Sequence, residues 1–202
     1  DSSHFPHIQS TDNIILFSGC SDGFLRVYLF KDKFELLKSC HFNSKCILNV
    51  HVIVFKLHPI VFTMSTDGVI SIWDFNSLGD VDVFQPVYQK RYHKAGINSF
   101  DVKNIHDNKI LITTGGDDND VQLNVISLSL KNDCGSLSIE ELCKWHCDKY
   151  HSSQITEIKI LNNNYIISAS IDQRVTLLKM IYDKSCEKNL DCKYIGQYHT
   201  NI

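Results

Sequence analysis

Proline is scarce in this 202-residue chain, with three, and no apolar run is long enough to cross a bilayer. The longest candidate, residues 46–62, is interrupted by Asn49, His51, Lys56, His58 and Pro59 and is too polar to span one. Nothing in the chain resembles a signal peptide. A phosphate-cradling loop of the Walker type, H-E-x-x-H and G-x-S-x-G are all missing, which removes three common routes to catalysis. An excess of positive charge is missing too: 20 basic residues stand against 23 acidic ones, for a formal net charge of −3. With a pI near 6.4, the chain does not bind nucleic acid over its whole surface, so any such contact is local. What is present is a 43% apolar and 10% aromatic composition, enough core for a soluble β-rich protein and contrary to disorder.

Four stretches, 14–30, 61–75, 110–126 and 166–180, repeat one pattern. Aligned on Asp22, Asp67, Asp118 and Asp172, each has a hydroxyl four residues earlier, at Ser18, Thr63, Thr114 and Ser168. Apolar residues follow at a spacing of two: Leu25/Val27, Ile70/Ile72, Val121/Leu123 and Val175/Leu177. That is the period of a half-buried strand, so each stretch predicts strand, tight turn and strand. Asp22-Gly23, Asp67-Gly68 and Asp118-Asn119 carry residues that tolerate the positive φ of a short hairpin, whereas Asp172-Gln173 is a weak turn signal.

A histidine precedes three of the aspartates: His41, His93 and His151, by 26, 25 and 21 residues. Each interval has room for one outer strand and the inner strand of the hairpin, as in 97–102 before 110–114 and 155–161 before 165–170. The aspartates are 45, 51 and 54 residues apart, near the roughly 40–45 of a WD-repeat blade. The chain therefore resembles a WD-repeat β-propeller. In that family His, Ser/Thr, Asp and Trp form a hydrogen-bonded chain that ties an inter-blade loop to a turn and a strand. The resemblance assigns His41, Thr63, Asp67 and Trp73 to this network in the second repeat, His93, Thr114 and Asp118 in the third, and His151, Ser168 and Asp172 in the fourth. Tyr28, Asn124 and Leu178 stand where the other tryptophans would be. The same atoms would make a hydrolase relay. Repetition argues for a structural staple, since a catalytic set occurs once.

The expected architecture is all-β, with about four blades near 8–40, 41–90, 91–146 and 147–195, and the start of a further strand at 196–202. The first repeat is expected to lack its outer strand. Rings of this kind close with typically 4–8 blades. Because open edges would leave unpaired strands, and the chain starts at Asp1 without a methionine, it is expected to be part of a longer, seven-bladed or double propeller.

Eight cysteines at irregular spacing read as reduced thiols of a cytosolic or nuclear protein, and a cytoplasmic location is expected. Cys143, His146, Cys147 and His151 have zinc-like chemistry, but the blade pattern already uses His151 and the alternation suits a strand. The acidic run Gly115-Gly116-Asp117-Asp118-Asn119 reads as a hairpin with one extra residue rather than a cation loop. Neither a metal nor a cofactor is expected.

The wording of the last two repeats is more particular. His93-Lys94-Ala95-Gly96-Ile97-Asn98-Ser99 leads to Thr114-Gly115-Gly116-Asp117-Asp118-Asn119. His151-Ser152-Ser153-Gln154-Ile155-Thr156 leads to Ser168-Ala169-Ser170-Ile171-Asp172-Gln173-Arg174. Over residues 93–180 these are similar to the WD-repeat regulatory subunits of the 2′-O-methyltransferase that acts on the wobble nucleotide of tRNA. The resemblance implies a non-catalytic subunit that partners the methyltransferase and holds or selects tRNA, with no membrane or DNA partner. Candidate contacts with RNA or partner are Lys90, Arg91 and Lys94 in an inter-blade loop, beside Tyr88 and Tyr92, and Arg174 at a hairpin tip. Lys31, Lys33, Lys38, Lys144, His146 and Lys149 make two further basic stretches. A scaffold of another pathway, in membrane traffic or ubiquitin ligation, is the alternative, and a propeller enzyme the third reading.

Overall fold

The computed structural model describes residues 14–41, 45–77, 85–131, 135–183 and 189–200. Fifteen strands are found there: β1 Ile14–Gly19, β2 Phe24–Phe30, β3 Phe34–His41, β4 Ile47–Phe55, β5 His58–Ser65, β6 Val69–Asp74, β7 Tyr88–Arg91, β8 Ile97–His106, β9 Lys109–Gly116, β10 Val121–Leu130, β11 Leu137–Cys147, β12 Ile155–Ile160, β13 Tyr165–Ser170, β14 Arg174–Tyr182 and β15 Leu190–His199. They form four antiparallel sheets in chain order, β1-β2-β3, β4-β5-β6-β7, β8-β9-β10-β11 and β12-β13-β14-β15. This is the meander of WD-repeat propeller blades, and the fold is all-β as expected. The described chain falls into two compact units, one of residues up to Ser65 with 70–89, the other of residues 66–69 and everything from Lys90 onward.

The strands of the first sheet correspond to the second, third and fourth of the others. β3 pairs with β2, so the blade position with no described strand lies ahead of β1, the position of the strand that the first repeat was expected to lack. Residues 1–13 lie outside the described residues. At the other end, Tyr198 and His199 close β15 opposite Val175 and Arg174, so 196–199 belongs to the fourth sheet. Ile202, with Asn201, lies outside the described residues.

The four central hairpins share one register. Their last pairs are Gly19↔Leu25, Met64↔Ile70, Gly115↔Val121 and Ala169↔Val175, each enclosing five residues. The acidic run after Gly115 therefore carries no extra residue, contrary to the sequence reading. The aspartate stands third in each loop and a residue with positive φ follows it: Gly23 at 83°, Gly68 at 79°, Asn119 at 64° and Gln173 at 62°. Gln173 adopts this conformation without the licence of glycine or asparagine. Its carbonyl accepts from the Thr200 amide at 2.8 Å and the Thr200 hydroxyl at 3.1 Å, while its amide donates to Ser170 at 3.2 Å. The left-handed region costs an ordinary residue about 1–2 kcal/mol, so Gln173→Gly is expected to raise the midpoint of urea unfolding, by up to about 1 kcal/mol after glycine's extra chain entropy. A lowered midpoint would show that the glutamine side chain contributes more than its backbone strain costs.

A second device recurs in the first strands. β4, β8 and β12 each shift register after their first pair, skipping Leu48, Asn98 and Thr156. Such bulges re-aim the following side chains. In the third sheet the re-aimed residues reach the next one: Ser99 Oγ accepts from the Ile158 amide at 3.1 Å and donates to Glu157 at 2.7 Å, and Asp101 accepts from the Ile160 amide at 2.8 Å. β12 is the edge strand of its sheet, so these bonds cover amides that an open edge would leave bare.

Alternation supplies each unit with a core. In the first, Leu25, Val27, Cys40, Ile47, Val61, Trp73 and Phe75 pack together. In the second, Leu111, Val121, Leu123, Val125, Ile155, Ile158, Ile166, Leu178 and Met180 do. Each large aliphatic side chain removed from water there contributes about 1.5–3 kcal/mol.

Candidate functional site

The third blade assembles its staple from a loop, a strand end and a turn. His93 Nδ1 lies 2.7 Å from Asp118 Oδ1 and Nε2 lies 2.8 Å from Thr114 Oγ1. Asp118 also accepts the amides of Lys94 at 2.8 Å and Asp120 at 3.3 Å. The fourth blade repeats this with His151 Nε2 at 2.8 Å from Ser168 Oγ and Nδ1 at 3.3 Å from Asp172, which accepts the amides of Ser152 at 2.8 Å and Arg174 at 3.0 Å. Serine, histidine and aspartate are thus in relay order, but Ser168 is 1% exposed and His151 3%. No substrate reaches such a hydroxyl, so the arrangement fastens the loop before each blade to the turn within it.

The second blade differs from its expected form. Trp73 Nε1 donates to Thr63 Oγ1 at 3.0 Å. His41 does not join them: it ends β3, exposed, with its ring 4.4 Å from that of Phe24. In the first blade Asp22 binds Arg26 through both oxygens, at 3.1 and 2.6 Å. Asn124, at the tryptophan position of the third blade, is 1% exposed and its Nδ2 has no acceptor.

Glutamine reinforces both complete staples, which the sequence did not reveal. Gln122 on β10 donates to the carbonyl of Tyr92 and to Asp120 at 2.9 Å, and Gln197 on β15 donates to the carbonyl of Tyr150 at 2.7 Å and to Thr176 at 2.9 Å. Tyr92 and Tyr150 precede the two histidines. The same loop carbonyl is therefore held in both blades by the same amide, offered from different strands.

These networks titrate in one direction. Burial alone would raise the Asp118 and Asp172 carboxyls. The histidine and the accepted amides outweigh it and hold both below the usual carboxylate range. Burial lowers the His151 imidazole below its usual value, and Arg174 adds to this, against the pull of Asp172. The unfolded chain therefore binds the extra protons in each case. Stability is expected to be full above about pH 6.5, to fall as pH drops through the folded value of His151, and to fall again below about pH 4 as the two aspartates are protonated. Asp120, raised by burial, runs the other way and loses stability as pH rises through its folded value. Urea midpoints between pH 8 and 3 test this; His151→Gln is expected to erase the upper limb and to weaken the Asp172 part of the lower one, and an upper limb that persists in it would overturn the assignment.

Of the four predicted contacts, two cations are already engaged. Lys90 pairs with Glu141 and lies 5.9 Å above the Tyr92 ring. Arg91 donates to the Asp67 carbonyl, with the Asp67 carboxylate 3.8 Å away. Among the described residues Lys94 and Arg174 have no acidic partner, Lys94 being exposed and Arg174 half-buried. Beside Lys94 opens a cleft of about 280 Å³, lined by Asp118, Asp120, Lys144, Trp145, His146 and Asp148 among others.

No three His, Cys, Asp or Glu among the described residues are grouped to hold a metal ion. Cys143 faces the core, its thiol pushed up to about 11 by burial, while His146 is exposed and lies 3.5 Å from Asp120. The six described cysteines are unpaired thiols. Among the described residues no helix is long and apolar enough to cross a membrane.

No protein-family model matches the chain. Among curated proteins, it is similar to the tRNA (34-2'-O)-methyltransferase regulator WDR6 of Pongo abelii and that of Homo sapiens, each 25% identical, and to that of Rattus norvegicus, 26% identical. In each case 81% of this chain and 17% of the relative are covered, so the chain spans about a sixth of the length of these proteins. The resemblance read in residues 93–180 is borne out, and the likeness extends beyond them.

Proposed function

We propose that this chain is part of a non-catalytic WD-repeat regulatory subunit that binds a tRNA 2′-O-methyltransferase and helps to position tRNA for 2′-O-methylation of the wobble nucleotide. The likeness to curated regulators of that methyltransferase carries the reading. Two features of the chain support it. Its Ser-His-Asp set is sealed inside a blade and serves to hold a loop. Two of the predicted contacts, Lys94 and Arg174, have no acidic partner among the described residues and each follows a staple aspartate or histidine closely in sequence, so a rigid network presents them for local contact with a phosphate backbone. A cytoplasmic location is part of the same proposal, and the six unpaired thiols among the described residues are compatible with it.

The test is purification of the full-length protein from its own cells at mild salt, with mass spectrometry and RNA sequencing of what accompanies it, followed by 2′-O-methylation of tRNA by the recovered enzyme with and without the subunit. A methyltransferase and tRNA in the preparation, and methylation that depends on the subunit, are expected. Trafficking or ubiquitin-ligase components without tRNA would refute the reading.

A further inference from the structure

The fourth sheet turns one face to the third, where Ile158, Ile166, Leu178 and Met180 pack in the shared core. Its other face carries exposed side chains. Tyr198, opposite Val175, is 70% exposed. Further along that face Leu161, Tyr165, Leu177 and Ile195 line a shallow groove of about 520 Å³ with Asn162. Beside it Lys179 and Lys193 stand directly opposite each other on β14 and β15. Both are exposed, Lys179 lies 5.5 Å above the Tyr165 ring, and neither has an acidic partner among the described residues. Asp191, two residues before Lys193 on the same face, accepts the Cys192 amide at 2.8 Å and pairs with neither lysine. Like charges set directly opposite in a sheet oppose its pairing, so this row lacks its complement.

The third sheet shows what a face covered by a neighbouring blade requires. Val121 and Val175 hold the same place in the shared hairpin register, so Val125 and Cys143 occupy the positions of Lys179 and Lys193. Val125 is 0% exposed and Cys143 9%, both within the core shared with the fourth sheet. An apolar sheet laid in the same way on Lys179 and Lys193 would bury two ammonium groups without partners, which is strongly unfavourable. The occupant therefore brings carboxylates to the lysine row and an apolar side chain to the groove. RNA phosphates would answer the lysines but leave Leu161, Leu177 and Ile195 uncovered, and the Tyr165 ring already has Lys179 over it. We propose that this face docks a protein, the partner methyltransferase, through an apolar side chain seated in the groove and at least one Asp or Glu set against Lys179 and Lys193. Only the identity of that protein rests on the preceding functional reading.

The full-length protein is mixed with the methyltransferase and treated with a carbodiimide, which joins an amine only to a carboxylate in contact with it, and the linked peptides are identified by mass spectrometry. Lys179 or Lys193 joined to an Asp or Glu of the methyltransferase is expected. Lys193→Glu sets opposite charges across β14 and β15, so its urea midpoint should not fall, while its affinity for the methyltransferase should drop about tenfold or more. Ile195→Asp, at an exposed position of the groove, should weaken binding to a similar degree. The exposed Lys131→Glu, the same charge change in the third sheet's last hairpin, should leave binding as it is. Unchanged affinity in both Lys193→Glu and Ile195→Asp overturns the docking face and leaves the functional reading standing. Loss of tRNA in Lys193→Glu with the enzyme still bound would assign the face to RNA and overturn it. Lys179 and Lys193 that resist an amine reagent in the free full-length protein would show the face covered by the protein's own chain, and overturn it too. A wild-type protein that binds no methyltransferase would overturn the functional reading and this occupant together.

Discussion

Gly68→Ala is expected to cost about 3 kcal/mol or more and to leave little folded protein. Gly68 stands at φ 79°, so any side chain there is strained. The added Cβ would also run into the carbonyl oxygens of His93 and Ala95. Those are main-chain atoms of the loop that carries the third staple, and the Gly68 carbonyl already accepts the amides of Tyr92 at 2.8 Å and His93 at 3.2 Å. Neither side has room to yield. Gly135→Ala is the control, since Gly135 has φ 63° but nothing within 4 Å of its would-be Cβ. It should lose only about 1 kcal/mol, the backbone part of the effect. Equal losses in urea unfolding of the two variants would show that the close approach at Gly68 contributes nothing.

Asp118→Ala is expected to cost about 2–4 kcal/mol, because it leaves the buried His93 ring and the amides of Lys94 and Asp120 without their acceptor. Thr114→Val removes a single bond from the other ring nitrogen and is expected to cost about 1–2 kcal/mol. The two changes share His93, so their effects in the double variant should fall short of the sum. A loss below about 1 kcal/mol for Asp118→Ala would show that water replaces the carboxylate freely and that the staple is not a closed network.

The hairpins were legible because their determinants are local: a spacing of two, an aspartate, and in two loops a glycine at the residue with positive φ. Where the determinant lies elsewhere in the chain, the sequence was silent. Gln173 has no turn chemistry of its own and is held by Thr200, 27 residues on. His41 fits the spacing of a staple histidine, yet it lies at the end of β3, where pairing with β2 sets it against Phe24. Lys90 and Arg91 read as free cations because Glu141 and Asp67 are 51 and 24 residues away. The cleft was invisible for the same reason, since it draws on three segments around residues 94, 120 and 145. The third and fourth staples were legible despite their long sequence intervals because the family pattern supplies the pairing that distance conceals.

The bonds from Ser99 and Asp101 to the amides of Ile158 and Ile160 make one blade's tolerance of change depend on another's, in one direction only. Any residue but proline offers an amide, so positions 158 and 160 are free to vary as far as these bonds are concerned. A hydroxyl and a carboxylate are not so easily replaced. The rule that protects the fourth blade's edge is thus written in the third blade's letters, and a fourth blade transplanted behind a different neighbour would arrive without it.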